Sequence, residues 1–118
     1  MAQFTALAAA ARTATTTSAA LYKVDAVSAT FILNVTAVPT VETLTMKIQG
    51  LTASGVAYDI LAGTASANAG VVTLTVGRGT TNVANVSNGQ ALPDVYQVVV
   101  THSSTGSFTY SVEVNTSK

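Results

Sequence analysis

The sequence predicts an all-β protein. Apolar and polar residues alternate with a period of two through most of the chain, which is the pattern of half-buried strands. Thr and Val favour strands and recur throughout. Turn residues at even spacing separate about six strands, and the Thr-rich stretch TATTTS, residues 13–18, would add a seventh. We therefore expect an antiparallel β-sandwich of about six to seven strands, of the jelly-roll or Ig-like type.

The N-terminal residues, 1–20, are predicted to form an extended arm ahead of the β-sandwich domain, residues 21–118. Their Ala-x-Ala spacings resemble those of a secretion signal, but no basic segment precedes them. A short helix or an extended arm is the interpretation that we favour. Such an arm would lie along a neighbouring molecule and add a strand to its sheet.

The first clear strand runs from Ala26 to Val38 and ends at Pro39, which cannot donate a ladder hydrogen bond. Its predicted inward face consists of Val27, Ala29, Phe31, Leu33 and Val35. A hairpin follows, with its turn between Gly50 and Gly55. Its predicted core face consists of Leu44, Met46 and Ile48 on the first strand and Val56, Tyr58 and Ile60 on the second.

Three more strands complete the prediction. The first has Val72, Leu74 and Val76 facing inward, and a long loop with one possible helical turn, residues 83–86, comes after it. The strand from Val95 to Thr101 is apolar on both faces, so we expect it to be central or covered on both sides. The last strand alternates cleanly, and its predicted inward residues are Phe108, Tyr110, Val112 and Val114.

Charge is the unusual property of the composition. Charged residues make up 8% of the chain and the net charge is zero, whereas an ordinary soluble domain has about 25% charged residues. A surface so poor in charge suits repeated burial against neighbours. It disfavours nucleic acid and anionic membranes, which require clustered Lys and Arg. The absence of Cys excludes disulfides and Cys-based metal sites.

Residues with catalytic potential are isolated in the sequence. His102 is the single histidine and lies beside a Ser-rich turn, where a surface or interface position is the simplest interpretation. The carboxylates have no metal-binding spacing, and the Gly77–Gly79 stretch lacks the Lys and helix of a phosphate-binding loop. Lys47 and Asp59 are expected to face each other across the hairpin on its outer face. We therefore predict no enzyme activity and no cofactor.

Eight residues are candidate contacts with partner molecules. They are Phe4, Arg12, Thr15, Lys47, Asp59, Arg78, Tyr96 and His102.

Four groups of segments resemble small structural proteins of tailed bacteriophages. They are ARTATTTSA, LTMKIQG followed by YDIL, GTTNVANVSNGQALP, and YQVVVTHSSTGSFTYSV, in the same order over nearly the whole chain. In those relatives an aromatic–Arg pair often precedes the VVVTH strand. Here Tyr96–Gln97 stands in its place, so any contact that the Arg makes does not carry over.

The resemblance implies a virion component, and we expect a head decoration protein. Such a protein would be made in the host cytoplasm, bind the outer capsid surface and cement adjacent capsomers. Its partners would be the major capsid protein and copies of itself, in a homo-oligomer such as a trimer. The alternatives are a tail or neck component, and a secreted carbohydrate-binding or adhesion module.

Overall fold

Ten strands form two sheets in this computed structural model, which describes residues 2–22, 26–39 and 41–117. In chain order the strands are β1 (Ala2–Arg12), β2 (Thr16–Thr17), β3 (Leu21–Tyr22), β4 (Ser28–Ala37), β5 (Leu44–Leu51), β6 (Ala57–Ala62), β7 (Gly70–Gly77), β8 (Ser87–Asn88), β9 (Val95–His102) and β10 (Phe108–Ser117). Sheet A has the order β1-β10-β4-β7-β8. Sheet B has the order β2-β9-β5-β6, and β3 also pairs with β9.

The predicted all-β class is confirmed, with no helix among the described residues. The strand count differs from the prediction, because three of the ten strands have only two residues and are too short to show periodicity. Sheet A is also mixed, since β8 runs parallel to β7. The other strand pairs in the described ranges are antiparallel.

The two sheets enclose a common apolar core. Phe31 of β4 meets Tyr96 of β9 edge to face, with ring centroids 5.7 Å apart, and both side chains are fully buried. The predicted inward residues that are buried are Ala29, Phe31, Leu33, Val35, Leu44, Met46, Ile48, Leu74, Val76, Phe108, Tyr110, Val112 and Val114. Val27 was wrongly assigned to this face, because β4 begins at Ser28 and Val27 is 45% exposed.

The segment predicted as an arm, 1–20, instead supplies strands to both sheets, with Met1 outside the described residues. β1 pairs with β10 along its length, and β2 pairs with β9. Leu7 is buried in the common core. The register of β1 shifts twice, after Thr5 and after Leu7, and such bulges bend an edge strand. The N-terminal residues are therefore part of the two-layered fold and not an appendage to it.

The β5–β6 hairpin contains a β-bulge that the alternating pattern does not predict. Ile48 lies opposite Leu61, whereas Gln49 lies opposite Asp59, so Ile60 is the additional residue. Leu61 is buried as a result, and Ile60 is only half-buried. On one side of the bulge, the positions that strict alternation would place inward therefore face outward, and the outward positions face inward.

Val56 and Tyr58 were also expected to face the core, and this expectation is wrong. Val56 lies in the turn before β6 and is 60% exposed. Tyr58 is 42% exposed, and its ring lies over Gly50, which has no side chain to obstruct it. The apolar content of this segment therefore overstates its contribution to the core.

β9 is central in sheet B, as its apolar sequence predicts, with β5 on one side and β2 and β3 on the other. The long connection after β7 contains a tight turn at the predicted helical site, where the Val86 N–H donates to the Val83 carbonyl. Asn85 completes this turn with a φ of 62°. Further along, the Asn88 side chain donates to the Ile60 carbonyl at 3.1 Å, which joins the edges of the two sheets.

Candidate functional site

A row of polar side chains crosses three strands on the outer face of sheet B. Gln97 Nε2 donates to Gln49 Oε1 at 2.8 Å, and Gln49 Nε2 donates to Asp59 Oδ1 at 2.8 Å. The same carboxylate oxygen lies 3.4 Å from Lys47 Nζ. The predicted pairing of Lys47 with Asp59 is confirmed. The two glutamines were not among the candidate residues, although the β5–β9 register places them directly opposite each other.

The electrostatics of this row concern Asp59. The hydrogen bond from Gln49 is the main reason why the pKa of Asp59 is lowered, and Lys47 lowers the pKa further through its hydrogen bond and its charge. Two thirds of the Asp59 side chain remains exposed to solvent. The row is therefore a solvent-exposed set of polar contacts that fixes side-chain orientations and strand register.

A second polar group lies where β1 ends and the chain crosses to sheet B. The Arg12 guanidinium lies 4.7 Å from the centroid of the Tyr110 ring. Arg12 Nη1 donates to the Tyr110 carbonyl at 2.8 Å, and the same guanidinium donates to the carbonyls of Ala8 and Ala10 on its own strand. Arg12 thus satisfies carbonyls where the bulge disrupts the pairing of β1.

His102 completes this group from sheet B. Its Nε2 lies 2.9 Å from the Tyr110 hydroxyl, and its ring meets Phe108 edge to face at 5.4 Å. Its backbone N–H donates to Thr15 Oγ1 at 3.2 Å. We call Arg12, Thr15, His102 and Tyr110 the corner cluster. Three of its four members were candidate contact residues, and the structure brings them together inside one chain.

His102 is buried, with 9% of its surface exposed, so its assignment as a surface or interface residue is wrong. The signal was in the sequence, because Tyr96, Val98, Val100 and His102 form one alternating inward row. Burial lowers the pKa of His102, the Arg12 charge lowers it further, and the Glu42 charge acts in the opposite direction. His102 Nδ1 and Glu42 Oε2 are both buried without a hydrogen-bond partner among the described residues.

Tyr96 is also excluded as a contact residue, because it is completely buried. Its hydroxyl has no hydrogen-bond partner in the described part of the chain, and desolvation raises its pKa. Phe4 is half-buried and packs against the core. Arg78 is exposed and lines a pocket of about 130 Å³ together with Ala26, Val27, Ala91 and Leu92. The eight candidates therefore do not form one surface.

The outer face of sheet A has a different character. Thr5, Glu113, Ile32 and Thr73 lie side by side across four strands. In the neighbouring row the hydroxyls of Thr30 and Thr75 lie 3.3 Å apart. Glu113 is the one charged residue among the outward positions of these strands that the structure describes. This face, which we call the hydroxyl face, combines Ser, Thr and Asn side chains with very little charge.

The described residues contain no group of three or more His, Asp or Glu side chains placed to hold a metal ion. None of their secondary structure is a helix of the length and hydrophobicity that would cross a bilayer. Comparison with family models, with curated proteins and with solved structures gives no match. The residues and their geometry therefore provide the basis for a functional proposal.

Proposed function

We propose that this protein is a structural component of a tailed-bacteriophage virion that binds the outside of the capsid and stabilises it. The ordered sequence resemblance motivates the proposal. The structural observation that supports it best is the hydroxyl face, a four-stranded surface on which Glu113 is the one charged residue described. The centres of protein interfaces are depleted of charged residues, because burying an unpaired charge is costly.

The hydroxyl face can be covered by a partner at low desolvation cost. Its Ser and Thr hydroxyls both donate and accept hydrogen bonds, so they adapt to backbone groups of a partner without strict charge matching. Ile32 adds apolar area near the centre of the face. We assign this face to the capsid shell, with the major capsid protein as the partner.

The mechanism requires no catalysis and no cofactor. Binding to the assembled shell, and not to loosened capsomers, shifts the equilibrium toward the intact particle by mass action. Contacts repeated over many equivalent positions, with copies of this chain associated as a trimer, would increase that effect. In this proposal the fold is a β-sandwich of jelly-roll or Ig-like type, and the protein reaches the capsid surface after synthesis in the host cytoplasm.

The test is binding to capsids that lack the protein. We expect saturation at a copy number comparable to that of the major capsid protein, together with a higher temperature of particle disruption. A handful of copies per particle would favour a tail or neck component instead. Binding to glycans with no binding to particles would favour a secreted carbohydrate-binding module.

Two surface substitutions locate the interface. Thr73→Lys places a charge on the hydroxyl face, and Thr101→Lys places the same charge on the outer face of sheet B. Both threonines are exposed in the native protein. We expect Thr73→Lys to weaken capsid binding and Thr101→Lys to leave it unchanged. The reverse result would overturn the assignment of the hydroxyl face.

A further inference from the structure

The crossing from sheet A to sheet B, residues 13–15, is held at both of its ends by side chains. Arg12 anchors the side that belongs to β1, through the Tyr110 ring and carbonyl. On the other side Thr15 accepts from the His102 N–H, and Ser18 Oγ accepts from the Val98 N–H at 3.0 Å. The position of β1 therefore depends on side-chain contacts as well as on its ladder with β10.

Tyr110 couples Arg12 to His102 within the corner cluster. Its ring lies against the Arg12 guanidinium, and its hydroxyl lies within hydrogen-bond distance of His102 Nε2. A neutral imidazole is compatible with this arrangement, because one ring nitrogen pairs with the hydroxyl and no second positive charge is brought near Arg12. A protonated imidazole would be a second cation in a largely buried position.

The charged and titratable groups that face His102 come from three elements. Arg12 approaches from β1, Tyr110 from β10 and Glu42 from the segment before β5. Arg12 opposes a positive charge on His102, and Glu42 favours one. Burial also opposes the charge. Burial and the Arg12 charge thus favour the neutral imidazole, and the Glu42 charge favours the protonated form.

We propose that protonation of His102 releases the corner cluster and loosens β1, so that the N-terminal strand responds first when the pH falls. The unfolded chain binds the proton more readily than the folded chain. The contribution of the neutral His102 to stability is therefore fully present above the pKa of an unfolded-state histidine. This contribution decreases as the pH falls below that value, toward the lower pKa of the folded state. A device of this kind would make the edge of sheet A sensitive to acidification.

The first measurement is an NMR titration of the imidazole. Because the chain contains a single histidine, its ring signals need no assignment by mutation. We expect a pKa below the ordinary value in the folded protein, and a higher pKa in Arg12→Gln, from which the opposing cation has been removed. A wild-type pKa at or above the ordinary value would overturn the proposal.

The second measurement is hydrogen exchange between about pH 8 and about pH 5, the range in which histidine changes its charge, corrected for intrinsic exchange rates. We expect protection to fall several-fold in β1 and residues 13–18, with little change in β5 and β6. His102→Gln, which cannot acquire the charge, should remove that difference. An equal loss of protection in all strands, or a β1-specific loss that persists in His102→Gln, would contradict the proposal.

Discussion

Gly77 of β7 and Ser28 of β4 lie directly opposite each other, so close that a Cβ atom at position 77 would overlap the Ser28 backbone. Gly50 is also closely approached, but by a side chain, because a Cβ atom there would overlap the end of the Tyr58 side chain. Both glycines are buried. They differ in what must move to accommodate a substitution.

We predict that Gly77→Ala destabilises the fold more than Gly50→Ala does. Overpacking against backbone costs about 1–3 kcal/mol, and the Ser28 backbone is fixed between β7 and β10. The Tyr58 ring is partly exposed and can rotate outward. Urea unfolding of the two variants measures the difference, with Gly50→Ala in a Tyr58→Ala background as the control. Equal losses would contradict this account of the two contacts.

Substitution of two buried tyrosines by phenylalanine should have opposite effects. The Tyr96 hydroxyl has no partner among the described groups, so Tyr96→Phe should raise the free energy of unfolding by about 1 kcal/mol. The Tyr110 hydroxyl is paired with His102, so Tyr110→Phe should lower that free energy by about the same amount. Both side chains are fully buried, which makes each variant the control for the other. A loss of stability in Tyr96→Phe would show that its hydroxyl is satisfied.

The polar row on sheet B predicts the pKa effects of two substitutions at its centre. Because the Gln49 hydrogen bond is the largest single cause of the lowered pKa of Asp59, and Lys47 lowers it through a hydrogen bond and its charge, both Gln49→Ala and Lys47→Ala should raise the pKa of Asp59. The lowered pKa also means that the contribution of Asp59 to stability is present above the ordinary pKa of an aspartate and disappears as the pH falls through the folded value. Titration of the Asp59 carboxyl carbon by NMR measures the pKa in each variant. An unchanged pKa in Gln49→Ala would show that the Gln49 hydrogen bond does not lower the pKa of Asp59.

Alternation predicts the strands whose two faces differ in polarity. β4 and β10 have apolar residues at alternate positions, and their inward residues are buried as predicted except at the margin, where Val27 precedes the strand. The pattern fails at Ile60, because a bulge inserts a residue and alternation assumes that none is inserted. It also fails for β1, in which a run of alanines provides no contrast between the faces.

The corner cluster could be predicted only in part. The parity of β9 places His102 on the inward row, which sequence alone supports. His102 meets Tyr110 across a separation of 8 residues, whereas Arg12 meets Tyr110 across a separation of 98 residues, through the pairing of β1 with β10. No spacing rule relates such positions, because they meet only after both sheets have formed. The candidate residues were therefore found individually and their arrangement was not.

The role of β1 is tested most directly at Leu7. An arm without intrachain contacts would tolerate Leu7→Ala, whereas the structure buries Leu7 in the core and pairs it with Val112. We predict a loss of about 2–3 kcal/mol in the free energy of unfolding, toward the lower end of the range for buried leucines because β1 is an edge strand. Ala9→Ser, at an exposed position of the same strand, should change stability by less than about 0.5 kcal/mol. If Leu7→Ala is as stable as Ala9→Ser, then β1 does not belong to the folded core.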